Sequence, residues 1–193
     1  MGMKKSLLLL AAFLMLGTAA KAQQWEGWSY GLKGGLNFAN VTGDDNGKMK
    51  FSFNLGAFAE YRINDFIGIQ PELVYSRQGA YEKNSGVKSW ARMNYLNIPI
   101  LAKLYVLENL SVDLGPQVGI LLNSKAKWKE GGESGKRDIP DMKGADISFA
   151  MGLSYRIDYN WDVNFRYNLG LTDINKNGDG KNGVIQLGVG YRF

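Results

Sequence analysis

The 193-residue sequence contains no histidine and no cysteine. Without histidine there is no Ser-His-Asp, Cys-His or Asp-His machinery, and the double absence also removes His- or Cys-ligated zinc. Disulfides are excluded in any compartment. Long apolar runs are missing too, apart from Leu7 to Leu16 near the N-terminus. That run follows Lys4 and Lys5 and leads into small residues ending in Ala20-Lys21-Ala22. A basic start, a short apolar stretch and an A-x-A site read as a cleavable secretion signal over residues 1–22, with Gln23 beginning the mature chain. A spanning helix would need ~20 apolar residues, and no Cys follows to carry a lipid. Charge of one sign is lacking as well. Of the 23 basic residues, Lys4, Lys5 and Lys21 leave with the signal while all 18 acidic residues stay. The mature chain is therefore close to neutral, which argues against a nucleic-acid partner.

What the mature chain does have is alternation with period two, the mark of strands with two unlike faces. It occurs in eight stretches. In the first, Trp28, Tyr30, Leu32, Leu36 and Phe38 oppose Ser29, Lys33 and Asn37. Phe51 to Tyr61 opposes Ser52, Asn54, Glu60 and Arg62; Ile67, Ile69, Leu73 and Tyr75 oppose Gln70, Glu72, Ser76 and Gln78. Leu96 to Leu104 opposes Tyr95, Asn97 and Lys103, and Val112 to Leu122 opposes Asp113 and Gln117. Ile147 to Ile157 opposes Asp146, Ser148, Ser154 and Arg156; Trp161 to Leu171 opposes Asp162, Asn164, Arg166, Asn168 and Thr172. The last sets Ile185, Leu187, Val189, Tyr191 and Phe193 against Gln186 and Arg192.

Each stretch is long enough for a tilted transmembrane strand, of about ten residues. One face carries charge on nearly every strand, while the other is apolar or aromatic. Apolar outside and charged inside is the membrane-barrel arrangement, and a soluble barrel would be reversed. Such a chain can cross a membrane only as a closed barrel, because open strand edges cannot be left in lipid. Connections alternate between short turns (Asn64-Asp65, 107–109 and 158–160) and long polar loops (40–50, 80–91, 123–143 and 173–182). The expectation is an all-β fold: an eight-stranded antiparallel up-and-down transmembrane β-barrel over residues 23–193, short turns periplasmic. Trp28, Tyr61, Phe66, Tyr155, Trp161, Tyr191 and Phe193 collect at that end as an interfacial girdle.

By parity a charge network fills the lumen: Lys33, Glu60, Arg62, Glu72, Lys103, Asp113, Arg156, Asp162, Arg166 and Arg192, with Asp146 also inward. Paired carboxylates could serve a glycosidase. A bore just wide enough for side chains favours internal salt bridges, since unpaired buried charges are costly. The alternation ending in Phe193, carried by Ile185, Leu187, Val189 and Tyr191, reads as the signal that the barrel-assembly machinery recognises. Asp173, Asn175, Asn177 and Gly178 copy the start of a calcium loop, but its closing Glu would fall on Val184, so a simple turn is favoured. The third long loop, with Lys125, Lys127, Lys129, Lys136, Arg137 and Lys143, suits lipopolysaccharide phosphates or plain solvation equally. No catalytic, cofactor or metal residues are assigned. Pro71, Pro99 and Pro116 fall within strands, where each removes a ladder donor, and apolar parity continues past all three.

Four segments carry a family resemblance: Gly68 to Tyr81 (GIQPELVYSRQGAY), Asn94 to Lys103 (NYLNIPILAK), Arg166 to Ile174 (RYNLGLTDI) and Gly188 to Phe193 (GVGYRF). With these the chain resembles the PorT-like, porin-family outer-membrane β-barrels. The resemblance implies an eight-stranded barrel in the outer membrane, and a link to protein secretion that some members have. The expected function is a structural or interaction role in the cell envelope. Expected partners are outer-membrane lipid, lipopolysaccharide, the assembly machinery, and envelope or secretion proteins. The alternative is a small porin-like barrel passing solutes.

Overall fold

The computed structural model describes residues 27–42, 48–84, 87–130, 133–139, 142–174 and 180–193. The stretch read as a secretion signal lies outside them. Ten strands follow in order: β1 (Gly27–Thr42), β2 (Lys48–Arg62), β3 (Ile67–Gln78), β4 (Ala80–Asn84), β5 (Val87–Leu107), β6 (Leu110–Glu130), β7 (Glu133–Asp138), β8 (Ala145–Arg156), β9 (Trp161–Asp173) and β10 (Lys181–Arg192). Every pairing is antiparallel, and β1–β10 and β5–β6 contacts close the sheet on itself. Eight staves result, because β4 and β7 only prolong the wall beside β5 and β6. Gly79 separates β3 from β4 with a φ of 138°, a conformation that a side chain would strain. Stretches 80–91 and 123–143, expected as loops, thus contain paired strand.

Burial alternates along the staves: on β3, Gly68, Gln70, Glu72, Val74, Ser76 and Gln78 are buried and the residues between them are exposed or half-buried. The buried positions are mostly polar and the exposed ones apolar: Glu72 is 4% exposed and Leu73 beside it 51%. Followed once around the wall, the register returns to β1 displaced by about ten residues, which tilts the strands by roughly 40°. Side chains distant in sequence therefore meet at one level of the bore. At the short-turn end the expected aromatic girdle faces outward. Trp28 packs on Tyr30 and Tyr61, and Tyr191 on Trp161 and Phe193.

The three in-strand prolines sit in neighbouring staves. Pro71 lies opposite Ile100, Pro99 opposite Gln117, and Pro116 opposite Phe149. Ladder pairing lapses beside each and resumes in the same register, so no residue is inserted. Where β5 and β6 lapse, the Ile100 carbonyl and the Leu101 Cα lie against Gly115, in the space a Cβ there would need.

Candidate functional site

The bore holds two ionic clusters. The lower centres on Glu60, 1% exposed on β2. One carboxylate oxygen accepts from the Tyr105 hydroxyl and from Arg156 Nη2 at 3.2 Å. The other accepts from Arg192 Nη2 at 2.9 Å, with Lys103 Nζ 3.6 Å away. Lys103 also lies 3.7 Å from Asp113, which takes hydrogen bonds from Ser111 and Ser154. The upper cluster centres on Glu72. Arg166 meets it bidentately at 2.8 Å on each arm, Lys33 reaches both oxygens at 3.1 Å, and Gln70 donates at 2.6 Å. A bond of 3.2 Å from Lys103 Nζ to Gln70 Oε1 joins the two clusters.

These contacts span the bore. Lys33, Glu72 and Arg166 come from β1, β3 and β9, and Glu60, Lys103, Arg156 and Arg192 from β2, β5, β8 and β10. Arg62 and Asp162, the remaining two of the ten charges read as a lumen network, flank the clusters, and Asp162 acts electrostatically on Lys33, Arg166 and Arg192. Arg62 donates to the turn carbonyls of Asn64 and Asp65 and lies 3.9 Å from the Tyr105 ring centroid. It thus braces the β2–β3 turn. Asp162 faces Arg156 in the β8–β9 register, its carboxylate filling the space before Gly190. Gln70, Tyr105, Ser111 and Ser154 complete the clusters and were not singled out from sequence. Parity turned them inward, but neutral side chains carried no charge to mark them.

Above Glu72 the lining changes to amides and hydroxyls. Asn37 donates to Ser76 Oγ at 2.9 Å and accepts from Asn54 and Gln186, and Gln117 donates to Ser148. Higher still, Asp146 accepts from Thr172 and Asn182. Met93, Tyr95 and Ile174, with Leu121 and Met142 against them, form an apolar cluster on the long-loop side.

Chemically the arrangement is a plug. Each lumen carboxylate of the two clusters is spoken for by cations or donors, and Ser111 and Ser154 give their protons to Asp113. Among the described residues no group of three acidic side chains gathers as a metal site would need. Residues 175–179 of the calcium-like turn, and most basic side chains of the third loop, lie outside the described residues or side chains. On the outer face of β10, Leu187, Val189, Tyr191 and Phe193 are exposed and Ile185 is half-buried. The Phe193 N–H donates to the Tyr30 carbonyl at 3.0 Å across the closing seam.

Residues 7–193 match the model of the outer membrane protein beta-barrel domain. The chain belongs to this family. Solved barrels of the same fold include Ail, the attachment invasion locus protein of Yersinia pestis, at 23% identity with a TM-score of 0.53 over 87% of this chain and 99% of Ail. Neisserial surface protein A is similar at 19% identity with a TM-score of 0.58, covering 87% of this chain and all of that one. At these identities the likeness concerns the fold. No functionally curated protein matches the chain. As a member of an outer-membrane family, the barrel turns its apolar face to lipid.

Proposed function

We propose that this outer-membrane barrel conducts no solute and catalyses no reaction, and that it serves the envelope as a structural or interaction protein. The supporting observation is the joined pair of ionic clusters across the bore. To pass, a solute would have to part the bidentate Glu72–Arg166 pair, and a buried charge left without its partner typically costs ~3–5 kcal/mol. The surfaces left for contact are the lipid-facing belt, the outer loops with their basic third member, and the periplasmic turns. Lipid, lipopolysaccharide and envelope proteins are the corresponding partners. The PorT-like resemblance adds secretion proteins to these, and export would use the signal over 1–22. Planar-bilayer recording of the purified barrel tests the reading. It should stay silent at voltages where porins show steady steps. Reproducible unitary conductance would overturn the plug and favour a small porin passing solutes.

A further inference from the structure

On the outer face of the wall, towards the long loops, the apolar belt gives way to cations. On β3 the outward residue after Tyr75 is Arg77, half-buried, its guanidinium 5.6 Å from the centroid of the Phe53 ring in the belt. Arg77 Nε has no hydrogen-bond partner among the described residues. Residues opposite each other in a ladder share a face, so the register carries this face across the wall. Arg77 stands opposite Asn94, and two residues further out on β5 Arg92 stands opposite Lys125 of β6. Arg92 is half-buried and Lys125 exposed. Among the described residues the ion pairs all lie in the bore, and none includes Arg77, Arg92 or Lys125. Beyond them the same face takes a row of Tyr81, Trp90, Lys127 and Lys136, and then a row of Lys83, Lys88 and Lys129.

Charge is sorted between the two faces here. Glu82, Glu130 and Glu133 hold register positions on the opposite face, while Asp138, opposite Lys125, is the one acid on the basic face of β4–β7 among the described residues. Solvation alone gives no reason for the sorting, since water takes either sign on either face. The sorting also has a cost. Lys83 stands opposite Lys88, Lys88 opposite Lys129, Arg92 opposite Lys125 and Lys127 opposite Lys136. Like charges directly opposite in a ladder are destabilising, and an anion seated between them reverses the sign. Position says which anion. The innermost cations adjoin Tyr75, Leu96 and Leu122, the last belt residues of β3, β5 and β6, so an anion bound there has acyl chains beside it. Guanidinium forks match phosphate oxygens two at a time, and lysines act as point charges. The long loops of an outer-membrane barrel face the outside, which makes the lipid that of the outer leaflet.

We propose that this basic face of β3–β7 docks the phosphate groups of outer-leaflet lipopolysaccharide, with Arg77, Arg92 and Lys125 at the level nearest the acyl chains and the lysine rows further out. The site rests on the interaction role proposed above and gives that role one partner and one surface. It uses the outside of the wall and asks nothing of the bore.

The test is a titration of the full, folded barrel in neutral maltoside micelles with fluorescently labelled lipopolysaccharide. The comparison probes are the same material stripped of its phosphates, and its deacylated but still phosphorylated saccharide. Saturable binding of the intact lipid is expected, with each comparison probe weaker by about tenfold or more, the worth of a charge-assisted bond or of the buried chains. Arg77→Gln combined with Arg92→Gln should weaken binding of the intact lipid by about tenfold or more. Lys88→Gln should weaken it less, and Lys181→Gln, at the same end but on β10, should leave it unchanged, since separated surface charges are screened. Without lipid, Lys88→Gln should keep or raise the urea midpoint, because it relieves the opposition to Lys83 and Lys129. Equal binding after phosphate removal, wild-type affinity in the arginine double variant, or an equal loss in Lys181→Gln would overturn the proposal. So would a deacylated saccharide that binds as tightly as the whole lipid, because the surface would then serve soluble polyanions. A clear fall in the midpoint of Lys88→Gln would also overturn it, because the row would then be serving the fold. A barrel that ignores lipopolysaccharide yet stays silent in planar bilayers would lose this site and keep its plug.

Discussion

Glu72 shows what one residue contributes in this lumen. Its carboxylate answers Lys33, 39 positions earlier, and Arg166, 94 positions later. Glu72→Ala would leave both cations buried beside an uncharged methyl, and removing one member of a buried pair typically costs ~3–5 kcal/mol. The urea midpoint of the refolded barrel should fall clearly. Ser76→Ala, on the same stave, removes neutral bonds with Asn37 and Gln78 and should cost only about 1 kcal/mol. Leu73→Ile on the lipid face should be nearly silent. Equal midpoints for Glu72→Ala and wild type would sink the structural reading of the cluster. That Glu72 points inward was legible from its place between Pro71 and Leu73 in an alternating run. Its choice of Arg166 over Arg62 was not, because alternation fixes a face and says nothing of height.

Among the elements, β5 and β6 bear the most unusual backbone. Pro99 and Pro116 remove donors from adjoining places, and at Gly115 between them the Ile100 carbonyl comes close, as carbonyls also do at Gly35, Gly56 and Gly152. A methyl at position 115 would push β5 from β6 at a seam already short of hydrogen bonds. Gly115→Ala should therefore lower the urea midpoint by the equivalent of ~1–3 kcal/mol. Gly34 is the matching control. It faces outward on β1, and a Cβ there meets its nearest neighbour, a Leu55 methyl, at an ordinary 3.6 Å, so Gly34→Ala should leave the midpoint within about 0.5 kcal/mol of wild type. Indistinguishable midpoints for the two variants would mean that the close approach at Gly115 carries no weight. The prolines were visible in the sequence, but their alignment across neighbouring staves and the glycine opposite were not. The β7 extension escaped sequence reading for a different reason. Ladder pairing of Lys125 with Asp138 and Lys127 with Lys136 continues where no apolar face is needed, so the period-two signal stops while the strand goes on.

The molecule as a whole closes along the β1–β10 seam, and Phe193 is its last tie. Its N–H bonds to the Tyr30 carbonyl, and its ring packs on Tyr191, 5.6 Å between centroids. Deleting Phe193 removes both the end of the apolar alternation on β10 and this bond. Slower assembly is expected, read in cells as a smaller heat-modifiable fraction in the outer membrane and more unfolded protein in the periplasm. An unchanged heat-modifiable fraction would show that this end is not recognised during insertion.

Alternation alone was enough to specify an eight-stave barrel and its outward-facing and lumen-facing residues. A strand in lipid must differ between its two faces, and that requirement is written residue by residue. Closure decided the rest. The displacement of about ten residues around the wall sets which inward side chains share a level. Through it Lys33 and Arg166 came to Glu72, and Arg62 came against its own turn. Stagger belongs to the closed sheet and to no single strand, so no stretch of sequence carries it.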